Sequence, residues 1–570
     1  MILVLLGSSQ GPREREWKRV LSEAGLAEPT SLRVSGGAHV AVWGPQHLVP
    51  KEGGNGLSVR ERGVTGAAIE LLEEERGTTL RACSPSIEGR PTYVRVLPEG
   101  LRLLSTDLAT LAAVGPKPAI DASGLAGQTV YVGARHRLPF RDIERIPALE
   151  EWVFDAAGAV RKVASEASKA EVRTVQTGPR ELAEAFWDLT RRAVRRAIDG
   201  RTRVAVMAAG GLDSSALLAA TIAEARGANP KEVSTITWHF GGRGDDRPYF
   251  ADLVRELGIV PVYLAPTVAA NDVLSAMVAR GLPLTPLTVT LQTCAIRAAK
   301  EQGAEVLLLG SGGDEVLAGV VESAITGDAL YRPRGLARAL GRAMRYRAPV
   351  DMPFSRRLGL IGRPLLRPFL PASIRLPRMK RALGRYMPHL GPRSIELLDD
   401  AARQRVRDII PRTPTERFRA FAGRPMFEEY AEHRSQIEGF AGLPIRDPYF
   451  DEEVARFVAA IPPPLLLHGD LHRGLFREAL RGKVPERIRV RSDKASFEEL
   501  VHALMAPAET RARALELSRG RRSEALGIVD GTLLHREVRE ALGGSMDDGY
   551  VRMSFLWSAL VVEAFLEVAE

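Results

Sequence analysis

Cysteine is almost missing from this sequence, with only Cys83 and Cys294 among 570 residues. That excludes a disulfide framework and a thiolate metal centre, both of which need clustered cysteines. A reducing, cytoplasmic setting is the natural expectation. Long apolar runs are also lacking: nowhere do about 18 apolar residues follow one another, as a membrane-crossing helix requires. Met1 to Leu6 is apolar but too short for a signal sequence. It has no basic start and runs into Gly7-Ser8-Ser9, so it reads as an opening strand. The ten histidines show no metal-ligand spacing. No Gly-Lys-Ser/Thr ending of a Walker A loop occurs beside the glycines considered below.

What is present is a large apolar reserve, 45% of the chain, enough to build at least two domains. Residues 1–175 read as a β-rich unit. Short strands over Ile2-Leu6, His39-Trp43, Thr92-Leu97, Leu101-Leu104 and Thr129-Val132 are separated by Gly and Pro turns, with a helix expected over Thr65-Glu75. Residues 176–570 change register. Helices over Glu181-Ile198, Ala216-Ala225 and Phe250-Leu257 alternate with strands Val204-Met207, Val233-His239 and Val306-Leu309, and beyond Gly319 the pattern is nearly all helical. Strands alternating with helices predict a parallel, doubly wound α/β sheet.

The net charge of +9 is unevenly spread. Between Tyr331 and Arg393 stand 16 Lys/Arg and a single acid, Asp351, so the rest of the chain is net acidic. Such a run reads either as solvated helix faces or as a docking face for an acidic peptide, a partner protein, nucleic acid or an anionic surface. Prolines at 333, 349, 353, 364, 368, 371 and 377 interrupt segment 331–393, which suits a partner-facing insertion better than one smooth helix. Its aromatics are too sparse for a base-stacking platform, so no nucleic acid is expected.

The chemistry concentrates in two loops. The strand Val204-Met207 runs into Ala208-Ala209-Gly210-Gly211-Leu212-Asp213-Ser214-Ser215 and then into an Ala/Leu-rich helix. Two glycines let backbone N–H groups approach an anion, and the helix points its positive end at the same place. Ser214 and Ser215 add hydroxyl donors, while Asp213 is placed to hold Mg²⁺ beside phosphates. A loop without lysine suits gripping a pyrophosphate that leaves. The strand Val306-Leu309 leads likewise into Gly310-Ser311-Gly312-Gly313-Asp314-Glu315. Ligands of doubly wound sheets bind at the carboxyl ends of strands, so both loops can open onto one pocket, with Asp213 and Asp314 facing the same metal.

With these loops the sequence resembles the asparagine synthetase-like amidoligases, whose loops read Ser-Gly-Gly-Leu-Asp-Ser-Ser and Gly-x-Gly-x-Asp-Glu. The similarity continues in Arg446-Asp447-Pro448-Tyr449-Phe450-Asp451, in Arg477-Glu478-Ala479-Leu480, and in Pro485 to Phe497 with Arg491 and Lys494. The resemblance implies a PP-loop synthetase domain over 176–570 that uses ATP and Mg²⁺. Residues 1–175 would form an Ntn-hydrolase-like αββα sandwich. The implied nucleotide contacts are Ala209, Gly210, Gly211, Leu212, Asp213, Ser214, Ser215, Gly310, Ser311 and Gly312. Asp213 and Asp314 are the implied metal ligands, and Lys494, Asp314 and Glu315 the catalytic set. Lys494 would stabilise charge during adenylation and amide formation.

Departures narrow the resemblance. Glutaminase-bearing members place a cysteine directly after the initiator Met, where this chain has Ile2, so the first unit is expected to be inactive. Ser311 stands where asparagine synthetases carry Glu and β-lactam synthetases a catalytic Tyr, and Ala209 replaces the first loop Ser. The closest kind is then the lasso peptide cyclases, which also carry a segment similar to Leu138-Pro139-Phe140-Arg141-Asp142-Ile143. That resemblance implies macrolactam closure of a precursor peptide, with a separate peptidase and a leader-binding protein as partners. The alternatives are a small-molecule amidoligase, making a β-lactam or making asparagine from ammonia, and a non-catalytic peptide- or nucleic-acid-binding scaffold.

Overall fold

The computed structural model describes residues 2–6, 14–23, 31–35, 38–42, 46–50, 56–61, 69–74, 77–84, 87, 89–98, 100–130, 137–155, 159–226, 232–238, 246–264, 274–275, 278, 282–283, 287–316, 370, 372–407, 413–466, 473–491, 498–543 and 549–569. Twelve of the described strands precede the first long helix: β1 (Ile2–Leu6), β2 (Ser31–Ser35), β3 (Ala38–Val42), β4 (Gln46–Pro50), β5 (Gly56–Glu61), β6 (Ile69–Glu74), β7 (Gly77–Cys83), β8 (Tyr93–Val96), β9 (Arg102–Ser105), β10 (Ile143–Arg145), β11 (Glu150–Phe154) and β12 (Val160–Ala164). They build two six-stranded sheets, ordered β10-β8-β9-β1-β3-β2 and β12-β11-β7-β6-β5-β4, with antiparallel pairing throughout, as in β1 against β3 and β6 against β7.

Two local expectations are corrected here. Of the helix expected over Thr65-Glu75, the described residues Ile69–Glu74 form a strand instead, β6, zipped to β5 and β7. A segment of eleven residues is short for a helix standing alone, while the two flanking strands offer the backbone of Ile69–Glu74 partners on both edges. Thr129 does not open a strand either. It closes the helix Ala122–Thr129, which starts where Asp121 caps the Ser123 N–H, and residues 131–132 lie outside the described set.

The second sheet system is parallel. Strands β13 (Arg203–Met207), β14 (Glu232–Trp238), β15 (Pro261–Leu264), β16 (Val306–Leu308) and β17 (Ile445–Arg446) lie in the order β15-β14-β13-β16-β17, each neighbouring pair parallel. The two-residue β17, inside the stretch expected to be nearly all helical, was not anticipated. Its length falls below any periodic signal, and it is defined only by pairing Leu307 with Ile445 and Leu308 with Arg446. Alternation along the strands splits the core. Val204, Val206, Val306 and Leu308 join one cluster with the helices Pro179–Ala197, Leu212–Ala225 and Glu452–Ala460. Ala205, Ile236, Leu307 and Ile445 join another with the helices Thr288–Glu301 and Gly549–Ala569. A sheet buried on both faces explains why these strands read as continuous apolar runs. That second cluster also takes in Tyr93, Leu103 and Leu111. Among the described residues no helix is long and apolar enough to cross a membrane.

The helix Pro425–Ala441 meets the early sheets and the loop before β8 through charged and polar contacts as well as through the apolar cluster that Ile437 shares with Tyr93 and Leu103. Arg145 pairs with Glu428 and Glu432 at 2.8 and 2.7 Å, Arg90 with Glu438 at 2.5 Å, and the Arg434 guanidinium donates to the Gly89 carbonyl at 3.0 Å. Of the basic segment 331–393, residues 331–369 and 371 lie outside the described set. The helix Ala372–Gly384, with Pro377 inside it, and the start of Pro392–Arg407 are described.

Candidate active site

Strands β13 and β16 are neighbours at the centre of the parallel sheet, so the loops leaving their carboxyl ends must lie side by side. The first loop turns at Gly210, whose φ of 81° belongs to glycine. Its carbonyl accepts from Arg491 at 3.3 Å, and Arg491 itself stacks over Tyr249 and pairs with Asp246 at 2.7 Å. The helix Leu212–Ala225 then begins with no side-chain cap, leaving its first amides to whatever occupies the loop. Ser214 Oγ donates to the Gly211 carbonyl at 3.3 Å, while Ser215 is fully buried. Ala209 and Leu212 flank the turn.

The second loop presses directly on the first. A methyl group on Gly313 would stand 2.4 Å from Asp213 Cγ, so only glycine permits the two loops this approach. The Gly312 N–H donates to the Glu315 carboxylate at 3.0 Å. Burial lifts the Glu315 pKa above the usual range, and the nearby Asp314 and Asp213 charges add to the rise. Glu315 is therefore a positioned, half-buried carboxyl that closes the second loop on itself.

Asp213 and Asp314 come together, as the sequence anticipated, around a group it did not anticipate. Arg473 donates to Asp213 Oδ1 at 2.6 Å, and the same nitrogen lies 3.1 Å from Asp314 Oδ1. Arg473 is one of two non-glycine residues with positive φ among the described residues, at 58°, and it opens the helix Gly474–Ala479. Phe476 anchors that helix edge-on against Phe186 and Tyr449. Burial works against the Arg473 charge, but Asp213 and then Asp314 more than offset it, so its pKa rises. In sequence, its one mark is an arginine at a helix start, the end where the macrodipole disfavours a cation.

Behind the loops lies a second group in which Ser311 and Asp447, both in segments singled out in the sequence, meet Tyr430 and Arg434, which sequence reasoning missed. The Tyr430 hydroxyl donates to Asp447 at 3.1 Å, Arg434 pairs with Asp447 at 3.2 Å, and Ser311 hydrogen-bonds to both Tyr430 and Asp447. Burial pushes the Asp447 carboxyl up to about 6 against the opposing pull of these partners. Through Arg434 the network reaches Gly89, so a loop residue of the parallel sheet is tied to the early sheets. The visible hint was an acid, Asp447, set between Arg446 and Pro448 after an apolar stretch. Tyr449 also serves the site, donating to the Asp213 carbonyl at 3.0 Å.

Lys494 and Phe497 lie outside the described residues. Arg491 is the last described residue before them and is fixed to the first loop. No group of three or more His, Cys, Asp or Glu that could hold a metal occurs among the described residues. Two carboxylates facing one cation nevertheless fit Mg²⁺, which commonly takes one or two protein carboxylates and completes its shell with phosphate oxygens and water.

The asparagine synthase family model matches residues 185–567 of this chain. No curated protein matches it. Among solved structures, a U34-tRNA thiolase from Methanococcus maripaludis is similar at 16% identity, over 42% of this chain and 88% of that one. The TM-score is 0.20, too low to carry an argument.

Proposed function

We propose, from the premise that this chain belongs to the asparagine synthase family, that it is an ATP-dependent amide-forming ligase whose substrate is a peptide that it closes into a macrolactam. The observation that carries the ligase reading is the convergence of Asp213 and Asp314, from two different strands, on a single cationic nitrogen. A carboxylate of the substrate attacks the α-phosphorus of ATP, giving an acyl-adenylate and pyrophosphate. An amine then adds to the acyl carbon and expels AMP. Asp213 and Asp314 would hold Mg²⁺, which supplies charge neutralisation at the phosphates. The uncapped amides of Leu212–Ala225 and the hydroxyl of Ser214 receive phosphate oxygens. Lys494, carried on the segment that follows Arg491, supplies the cation for adenylation and for the oxyanion of amide formation.

The peptide substrate is the finer part of this reading. It rests on Ser311 at the position where the small-molecule enzymes place Glu or Tyr, and on the segment Leu138–Ile143. An Asp or Glu side chain of the precursor is activated and the peptide's own N-terminal amine attacks, with a partner peptidase and a leader-binding protein presenting it. Joining two ends of one molecule replaces a bimolecular encounter, which in good geometry saves about 7–11 kcal/mol. Residues 1–175 complete the proposal as an Ntn-like unit without glutaminase activity. Ile2 supports that, since it stands where the glutaminase-bearing enzymes place their nucleophilic cysteine.

The test is pyrophosphate and AMP release with three donors: aspartate plus ammonia, carboxyethyl-arginine, and a precursor core peptide with a free N-terminus. Turnover with the peptide alone, and a product lighter by one water, is the expected result. Turnover with a small acid keeps the adenylation chemistry and removes the peptide. No AMP with any donor, in the presence of candidate partner proteins, overturns the ligase reading.

A further inference from the structure

We propose that Arg473 makes metal binding conditional on nucleotide: it is the built-in counter-ion of Asp213 and Asp314 and must leave them before a divalent cation can enter. The proposal rests on the reading of the pocket as an ATP and Mg²⁺ site.

Three observations carry it. The first is position. One guanidinium nitrogen lies 2.6 Å from Asp213 Oδ1 and 3.1 Å from Asp314 Oδ1, the spot where a cation shared by both carboxylates has to sit. A guanidinium and a divalent ion cannot occupy it together. The second is burial. The Arg473 side chain is 10% exposed and that of Asp213 19%, so the pair is only weakly screened by water and salt. The third is backbone geometry. A non-glycine residue at φ 58° and ψ 42° is held in a sparsely populated region, a conformation that persists only where surrounding structure imposes it. Phe476, locked against Phe186 and Tyr449, is that structure. The arginine is thus aimed into the carboxylate pair by a rigid mount, not resting there by chance of rotamer.

The consequence follows from charge. A bare divalent ion entering this pocket must compete with a guanidinium already hydrogen-bonded to its ligands. A metal–nucleotide complex brings oxygens that accept from a guanidinium at least as well as a carboxylate does, in the same forked geometry. Arg473 can then transfer its donors to phosphate while the carboxylates turn to the metal. Metal alone is disfavoured, and metal with nucleotide is favoured, by the same side chain. The reacting phosphates and their metal therefore arrive as one unit.

The experiment titrates Mn²⁺ as a spin probe into the full-length protein, with and without the non-cleavable analogue α,β-methylene-ATP, for the wild type, R473Q and R473K. Circular dichroism and thermal unfolding establish that the variants are folded. In the wild type, Mn²⁺ alone should bind weakly and Mn²⁺ with the analogue tightly. R473Q should gain affinity for Mn²⁺ alone by roughly tenfold or more, about 1.4 kcal/mol, and lose affinity for the metal–analogue complex. R473K keeps a point charge near the carboxylates and should stay close to the wild type for Mn²⁺ alone. If R473Q binds Mn²⁺ alone no better than the wild type while both bind the metal–analogue complex, the gating idea is wrong and the ATP reading stands. An equal gain in R473K and R473Q also overturns it, because charge is then not what excludes the metal. If no protein binds the metal with the analogue, both readings fall together.

Discussion

The two loops of the site touch each other yet are stabilised by opposite means. The first takes its shape from its own glycines and from Arg491 and Tyr449, which grip only its backbone. Of its side chains, Asp213 faces Arg473 across the site, and Ser214 rests against the Gly211 carbonyl of its own turn. The second is anchored by its side chains: Glu315 folds back on Gly312, and Ser311 enters the buried Tyr430–Asp447–Arg434 network. Only Asp314, whose side chain is 44% exposed, is left to the pocket. One loop presents chemistry on a backbone frame, and the other sacrifices most of its side chains to fix a single carboxylate.

Removing either carboxylate tests whether the two loops serve one metal, and here the largest effect is expected. Asp213→Asn and Asp314→Asn should each lower the rate of pyrophosphate release by on the order of 10³-fold, the several kcal/mol expected when charge stabilisation at a phosphoryl group is lost. An Asp314→Asn protein with wild-type turnover would remove the second loop from the metal site and end the symmetry of the comparison.

The dry side of the second loop is next in size, and its readout is stability against pH. Asp447 is lifted to about 6 from an ordinary value of 3.8. Between those values the folded protein keeps a proton that the unfolded chain has released. The contribution of this group to stability is therefore greatest below pH about 4 and declines as pH rises to about 6, then levels. The whole decline is on the order of 3 kcal/mol. Denaturant titrations from pH 4 to 7 should show this slope in the wild type and lose it in Asp447→Asn. An identical slope in both would assign the titration to another group.

Legibility in the sequence divides along the same line. The first loop was readable because every determinant is contiguous: strand, two glycines, acid, serines, helix. Asp314 was readable because its loop repeats that logic. What could not be read was everything fixed by contacts far apart in the chain. Arg473 lies 260 residues from Asp213, Tyr430 and Asp447 reach Ser311 from beyond the basic segment, and β17 exists only as a partner of β16. The early sheets show the same effect at the level of elements. Ile69–Glu74 has charged residues that suit a helix surface, and pairing with β5 and β7 decides otherwise. Local propensity is a weak prior wherever a strand is completed on both edges.

A smaller effect separates close packing between the loops from the turn itself. Gly313→Ala drives a methyl group into the Asp213 carboxylate, at 2.4 Å from Cγ, whereas Gly211→Ala meets only Ser214 Oγ at 3.7 Å. Overpacking of the first kind costs about 1–3 kcal/mol. We expect turnover to fall about ten- to hundred-fold in Gly313→Ala with the fold intact by circular dichroism. Gly211→Ala should stay within a few-fold of wild type. Equal losses in the two would mean that the first loop is as sensitive as the junction.

The smallest expected effect concerns Ala209, where the first loop departs from the family it resembles. The position lies one residue before the turn at Gly210, and its backbone N–H is 3.5 Å from Ser214 Oγ, at the edge of hydrogen-bonding range. A serine there would add a hydroxyl beside a frame whose backbone is already fixed by Arg491 and Tyr449. A neutral hydrogen bond of this kind is worth about 0.5–1.5 kcal/mol net. Ala209→Ser should therefore lower the KM for ATP by a few-fold and leave kcat nearly unchanged, because the added donor grips ground state and transition state alike. A rise in kcat would mean the grip tightens as pyrophosphate leaves. A loss of turnover would mean that the added hydroxyl disturbs Ser214, and that the alanine is a requirement of this loop's packing.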